Sequence, residues 1–240
     1  MSMNRRRRQR GAALLILVTL AGLGAATLLM GTFGRANPDA ARERRTLRAL
    51  AQAKEALIGH ALAHGRLPRP AASAIDGREN PLPCNDEQSC TGLLPGVTLG
   101  VDPVDGWGKL LRYSVTPGFA NAAIQGGAPA PSKTVLDRDS RGMPYYVAGE
   151  AACGPDSQCV PAVLFSSGKN NLGTSVEGIL QANSSGSNTD EMHNQRAGRH
   201  FMRRAASGDP RLPGGEFDDM LTWIPLPVLL DRMRAARALR

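Results

Sequence analysis

Aromatic side chains are scarce: two Trp, three Tyr and five Phe make up 4% of the 240 residues. A basic face for DNA needs Lys/Arg clusters on a folded element, preferably beside aromatic rings, and neither is in evidence. The formal charge of +8 does not restore that reading, because Arg5 to Arg8 and Arg10, all before Gly11, carry more than half of it. No nucleic-acid partner is expected. Catalytic signatures are missing too: there is no G-x-S-x-G, no H-E-x-x-H and no dinucleotide-binding glycine pattern. The stretch "SSGKNN" lacks the upstream glycine and the hydroxyl after its lysine that a phosphate-cradling loop requires. The expectation is a protein that is not an enzyme and needs no cofactor.

Charge is absent from one long stretch. No ionisable side chain occurs from Gly11 to Gly34, and a helix of that length would span about 36 Å, enough for a bilayer core of about 30 Å. The arginines before it would stay cytoplasmic, so everything from Arg35 onward would face the periplasm or the exterior. A cleaved secretory signal peptide is the rival reading, since Gly24-Ala25-Ala26 offers small residues suited to signal peptidase. Against it, the apolar stretch runs on through Leu28, Leu29, Met30 and Phe33.

Cysteines number only four, as Cys84 with Cys90 and Cys153 with Cys159, each pair enclosing a turn-rich segment ("NDEQS", "GPDSQ"). Two local disulfide loops in an oxidising compartment are the simplest reading. A four-thiolate zinc site is the alternative, although it ordinarily shows closer C-x2-C spacing. A chain with 42% hydrophobic residues can bury one real core with room for a second small lobe, and 27 glycines with 17 prolines imply long connections.

A basic run, a glycine and an uninterrupted apolar helix resemble the type III signal of type IV pilins and type II secretion pseudopilins. In that family prepilin peptidase cuts after the glycine, which here means between Gly11 and Ala12. The resemblance implies a retained, N-methylated helix that anchors the subunit in the inner membrane and later packs in a filament. One position departs from the pattern: most members carry a glutamate five residues after the glycine, where this chain has Ile16. That resembles certain minor members and points away from an ordinary shaft role.

After Asn37-Pro38, the stretch to Gly65 reads as an amphipathic helix with Leu47, Leu50, Leu57, Ile58, Ala61 and Leu62 within a stripe of about 140°, and with Lys54 as a blemish inside it. His60 and His64 lie one turn apart, a spacing shared by metal pairs and by ordinary helical histidines. Beyond Gly65, "DGWGKLLRYSV", "MPYYVAG" and "PAVLFSSG" read as strands. The order "DGWGKLLRY", "FSSGKNN", "EFDDMLTW" resembles the major pseudopilins, with their Asp-Pro-Trp-Gly, Ser-x-Gly and Asp-to-Trp segments. Trp107 and Trp223 are expected as core anchors with satisfied indole donors. The resemblance implies a calcium loop whose candidate ligands here are Ser167, Asn170, Asp218 and Asp219. Lys169, Asn170 and Asn171 stand where the family is acidic, so Lys169 is expected to act as an internal counter-ion that replaces the metal.

The organisation so read is a leader over 1–11, a transmembrane helix over 12–34, its amphipathic continuation over 35–65, a periplasmic β-rich body over 66–225 with a mobile polar loop over 181–198, and a basic amphipathic helix over 226–240. The expected fold is pilin-like α+β, a long N-terminal helix packed on a small antiparallel sheet. Expected partners are prepilin peptidase, other pilin or pseudopilin subunits, an inner-membrane assembly platform and membrane lipid. The alternative is a membrane-anchored or secreted disulfide-bearing binding domain with no filament role.

Overall fold

In a computed structural model of the chain, the described residues are 16–21, 38–124 and 128–239. Contacts divide the chain into two compact units, Met1–Ala41 and Arg42–Arg240. In the first, residues 16–21 are helical (α1) and Ile16, Leu17, Val18 and Leu20 are exposed. Gly11 and Ala12 lie outside the described residues, as does most of 12–34. Among the described residues no helix is long and apolar enough to cross a membrane.

The longest helix, α2, covers Pro38–His64. Proline suits a first helical position, where its missing N–H would be unsatisfied anyway. The helix stops at Gly65, whose φ of +74° favours a residue without Cβ and whose N–H reaches Ala61 O at 2.8 Å. Leu50, Ala53, Leu57, Ile58 and Ala61 are buried on one stripe, and each large aliphatic among them contributes about 1.5–3 kcal/mol relative to exposure. Leu47, placed in that stripe by sequence, is 56% exposed, while Thr46 is buried instead. Thr46 Oγ1 accepts the Gly106 N–H at 2.9 Å. A Cβ at Gly106 would run into the Arg42 carbonyl of α2, so glycine is what lets this turn approach the helix.

The remaining helices are short: α3 (Gly96–Leu99), α4 (Pro117–Asn121), α5 (Thr189–Gln195) and α6 (Leu226–Ala235). The strands are β1 (Thr91–Leu93), β2 (Arg112–Val115), β3 (Thr134–Arg138), β4 (Pro144–Ala148), β5 (Ala162–Ser166), β6 (His200–Met202) and β7 (Met220–Ile224). They form an antiparallel four-stranded sheet, β1-β2-β5-β7, and a three-stranded sheet, β4-β3-β6, in which β3 and β6 run parallel.

All five residues of β5 are buried, as befits an inner strand covered on both faces. Ala162 and Leu164 join a core with α2, β2 and Leu229 and Met233 of α6. Val163 and Phe165 turn the other way, into a second core with Val135 of β3 and Phe201 of β6. Two disulfides, Cys84–Cys90 and Cys153–Cys159, close the local loops, and they suggest an oxidising compartment outside the cytoplasm.

This arrangement corrects the expected fold. The described residues contain six helices and two sheets, with no long apolar helix and no single spine laid on one small antiparallel sheet. The helix that enters the core opens at a proline at residue 38. The second sheet arises because the polar stretch after Gln181 folds: it carries α5 and delivers β6 into a parallel pairing with β3. A pattern built from local strand signals cannot register such a non-local partner.

Candidate functional site

The "DGWGK" turn feeds the site. Asp105, 1% exposed, accepts the Trp107 and Lys109 N–H groups on Oδ1, both at 2.8 Å. Its Oδ2 accepts the Ser166 hydroxyl at 2.6 Å, and Ser166 Oγ accepts the Gly168 N–H at 3.1 Å. One carboxylate therefore shapes the turn and fastens it to the end of β5. The same turn directs the Lys109 side chain inward, where it is 2% exposed.

Its ammonium lies among backbone carbonyls of the loop after β5. Nζ donates to Ser167 O at 3.3 Å, to Asn171 O at 2.9 Å and to Asn170 O. An ammonium has three protons to give, and three acceptors receive them. Burial lowers the Lys109 pKa, while Asp218, Asp105, Asp219 and Glu191 oppose that shift through their charges. The loop's shape depends on Gly168 at φ +59°, where a Cβ would strike the backbone carbonyl and carboxylate of Asp218.

Asp218 in turn binds this loop, accepting the Asn170 N–H on Oδ2 at 2.8 Å. Its own N–H donates to Glu191 Oε1 at 2.7 Å. Asn188 Nδ2 donates to Glu191 Oε2 at 2.7 Å, and Asn194 Nδ2 donates to Asp219 Oδ2 at 2.8 Å. Gln195 Nε2 donates to Ser167 Oγ at 2.7 Å. Carboxylate oxygens of Glu191, Asp218 and Asp219 all lie within 4.8 Å of one another. Asp218 Oδ1 and Asp219 Oδ1 are enclosed without a hydrogen-bond partner among the described residues. Burial raises the pKa of each of the three carboxyls, that of Asp219 far above its usual range, with the neighbouring carboxylates adding to the rise in Asp219 and Glu191. Three carboxylates so close each oppose the ionisation of the others.

Ser167, Asn170, Asp218 and Asp219, the residues named from sequence as calcium ligands, are thus gathered into one site. They do not fit a bound divalent cation. The carbonyls of Ser167, Asn170 and Asn171 that would contribute hard oxygen ligands are already bonded to an ammonium, and a second cation in that cage would meet like charge. The lysine that supplies this ammonium is Lys109, not Lys169. Sequence reading passed over it because Lys109 stands some sixty positions upstream, inside a segment read as a turn entering a strand.

Several contributors were missed because they lie in the stretch expected to be mobile. Asn188, Glu191 and Asn194 are buried. A legible signal existed: Asn188 and Glu191 stand three residues apart, the spacing that opens a helix with a polar cap and an acidic N3 residue. Trp107 also departs from expectation, since it is half-buried and its Nε1 is enclosed without a partner among the described residues. Trp223 packs against the second core beneath the Arg203 guanidinium, 5.9 Å from the ring centre. His60 and His64 stack at 4.0 Å, and each Nδ1 lies against a backbone carbonyl, of Arg66 and of His60 respectively.

Comparison with known proteins gives no match: no family model, no curated protein and no solved structure matches the chain.

Proposed function

We propose that this chain is a minor pilin or pseudopilin-like structural subunit of a type IV pilus or type II secretion filament. In this reading prepilin peptidase cleaves after Gly11, and Ala12 to Gly34 hold the mature subunit in the inner membrane with its body in the periplasm. It acts by assembling with other subunits on an inner-membrane platform, not by turnover. One observation carries the reading. The three fragments that resemble the major pseudopilins, separated by some fifty residues each, meet in a single bonded site: Asp105 with Ser166, Lys109 with the 167–171 carbonyls, and Asp218 with Asn170. The two disulfides are in keeping with an exported body.

The mature N-terminus tests this directly. Mass spectrometry of the chain expressed with a prepilin peptidase should find N-methylated Ala12 as the first residue, and Gly11→Val should retain the leader, since a side chain there blocks an extended backbone from entering the protease. A first residue near Thr27, or normal processing of Gly11→Val, overturns the proposal in favour of an ordinarily secreted, disulfide-bearing binding domain.

A further inference from the structure

We infer that the open edge of β7 takes an extended segment from a second copy of this chain, and that the exposed apolar turn over residues 174–181 is the segment it takes. The contact stands on the geometry of the body alone, whether or not a filament is formed.

Among the described residues β7 ends the four-stranded sheet. Its five pairs with β5 run without a shift of register, and it carries neither the proline, the lysine nor the bulge that usually blunts an edge. Successive side chains of a strand point to opposite faces, yet Leu221 and Thr222 line one cavity of about 350 Å³ together with Leu47, Ala51 and Lys54 of α2. A space touched by both faces of a strand lies beside its edge, and here α2 roofs it. A further strand would stand there, about 4.8 Å from β7. The gap accounts for two misfits in α2: Leu47 and Lys54 belong to its apolar stripe, but the sheet stops short of them and leaves Leu47 exposed and Lys54 half-buried. A strand in the gap would bury Leu47 and could offer a carboxylate to Lys54. Glu55, the carboxylate already at the groove, is paired with Arg232, and Arg44 and Arg48 are exposed on the same half of α2, so the groove favours an apolar segment that carries negative charge.

The chain displays such a segment at the opposite edge of the same sheet. Val176, Ile179 and Leu180 are exposed, Leu180 at 77%. Glu177 stands between them, its carboxyl held below the ordinary glutamate range by the Ser175 hydroxyl and therefore ionised. A Cβ at Gly178 would touch Ala74 and Ile75, and the loop that bears those residues is tied to β1 by the bond from Ala71 N–H to Leu93 O at 2.9 Å. Ile75, itself exposed, extends the apolar surface. Aliphatic side chains gathered in the open mark an interaction surface. A groove at one edge and its complement at the other make a heterologous contact, which repeats head to tail instead of closing on a symmetric dimer.

The test uses the full chain in detergent with its disulfides intact. Leu47→p-benzoylphenylalanine, prepared as equal parts of unlabelled and nitrogen-15 chain, is irradiated, digested and mapped by mass spectrometry. Cross-links should join position 47 to residues 174–181, with labelled peptide bound to unlabelled. No intermolecular product, or products that reach only other segments, overturn the inference. Sedimentation then compares variants that all retain residues 12–34, so that association through that stretch is common to them. Lys54→Glu and Glu177→Lys should each weaken association by about tenfold, and the two together should restore it. Leu180→Asp should weaken it as much while melting within about 2 °C of wild type, as a surface substitution does. Single charge reversals without effect, or a double variant that stays as weak as either single one, overturn the assignment of this segment to this groove.

Discussion

His60 shows how one side chain's surroundings turn into a pH dependence. The ring is buried at the end of α2, with Nδ1 on Arg66 O and its face on His64. Burial lowers its pKa, the Arg66 carbonyl opposes this, and the charge of His64 adds to the lowering, with Glu79 raising it and the Arg66 guanidinium lowering it. As pH falls, the unfolded chain takes up the proton first. The stability that His60 supports is therefore fully present above the ordinary histidine pKa of about 6.5 and is lost as pH falls through the window down to the lowered folded value. His200, also lowered chiefly by burial, acts in the same direction. The carboxyls of Glu191, Asp218 and Asp219, raised by burial, act in the opposite direction, so the histidine's part is read as a difference: His60→Gln should make the melting temperature fall less, or rise more, than that of wild type as pH goes from 7 to 5. An unchanged slope in the variant would show that the imidazole is solvated in solution.

At the scale of an element, α5 is the joint that ties the polar stretch to both sheets. Asn194 makes three bonds from this helix: Nδ2 donates to Met202 O and to Asp219 Oδ2, both at 2.8 Å, and Oδ1 accepts the Met202 N–H at 2.7 Å. The helix thereby fixes β6 on one side and the start of β7 on the other. Asn194→Ala leaves these buried groups unpaired, at a cost of about 3 kcal/mol, which for a body of this size corresponds to a melting temperature lower by roughly 6–12 °C. A variant melting within about 2 °C of wild type would show that α5 is dispensable. A second buried lysine serves a similar connecting role: Lys133 bonds Glu87, inside the first disulfide loop, and Gly198 O at 3.2 Å, beyond α5. Burial lowers its pKa and the bond to Glu87 opposes the shift. At the C-terminal end, Arg232 of α6 pairs with Glu55 of α2 at 3.1 Å, an exposed bridge of small value.

For the whole molecule, the disulfides set the conditions under which the body holds together. Each closes a loop between cysteines six positions apart, and such a short loop removes about 2 kcal/mol of unfolded-state entropy. Cys84 and Cys90 are also buried in the first core, so that bridge joins covalent closure to packing. Non-reducing peptide mapping should recover Cys84–Cys90 and Cys153–Cys159 with no cross-pairs. The double variant Cys84→Ser/Cys90→Ser should melt lower than Cys153→Ser/Cys159→Ser, because its hydroxyls enter an apolar cluster. The reverse order would show that the second loop matters more to the body.

What could be read from the sequence was local. The disulfide pairing follows from two equal short spacings, and β2, β4 and β5 follow from alternating or continuous apolar runs bounded by glycine and proline. The body of α2 follows from a stripe of period 3.6, with Leu47 misplaced because a stripe gives direction and not which neighbours reach it. Ser167, Asn170, Asp218 and Asp219 were named only through the resemblance and as calcium ligands, and the bonds they make here, to an ammonium and to amide donors, are not what that naming implied. Tertiary structure alone decided the rest. It paired β3 with β6 across some sixty residues, ordered a polar stretch that local composition marks as loose, and chose Lys109 over Lys169 as the cation among the loop carbonyls. Those outcomes depend on which distant groups satisfy a buried charge or an open sheet edge, and that energy is set by burial and geometry that no local window of the chain contains.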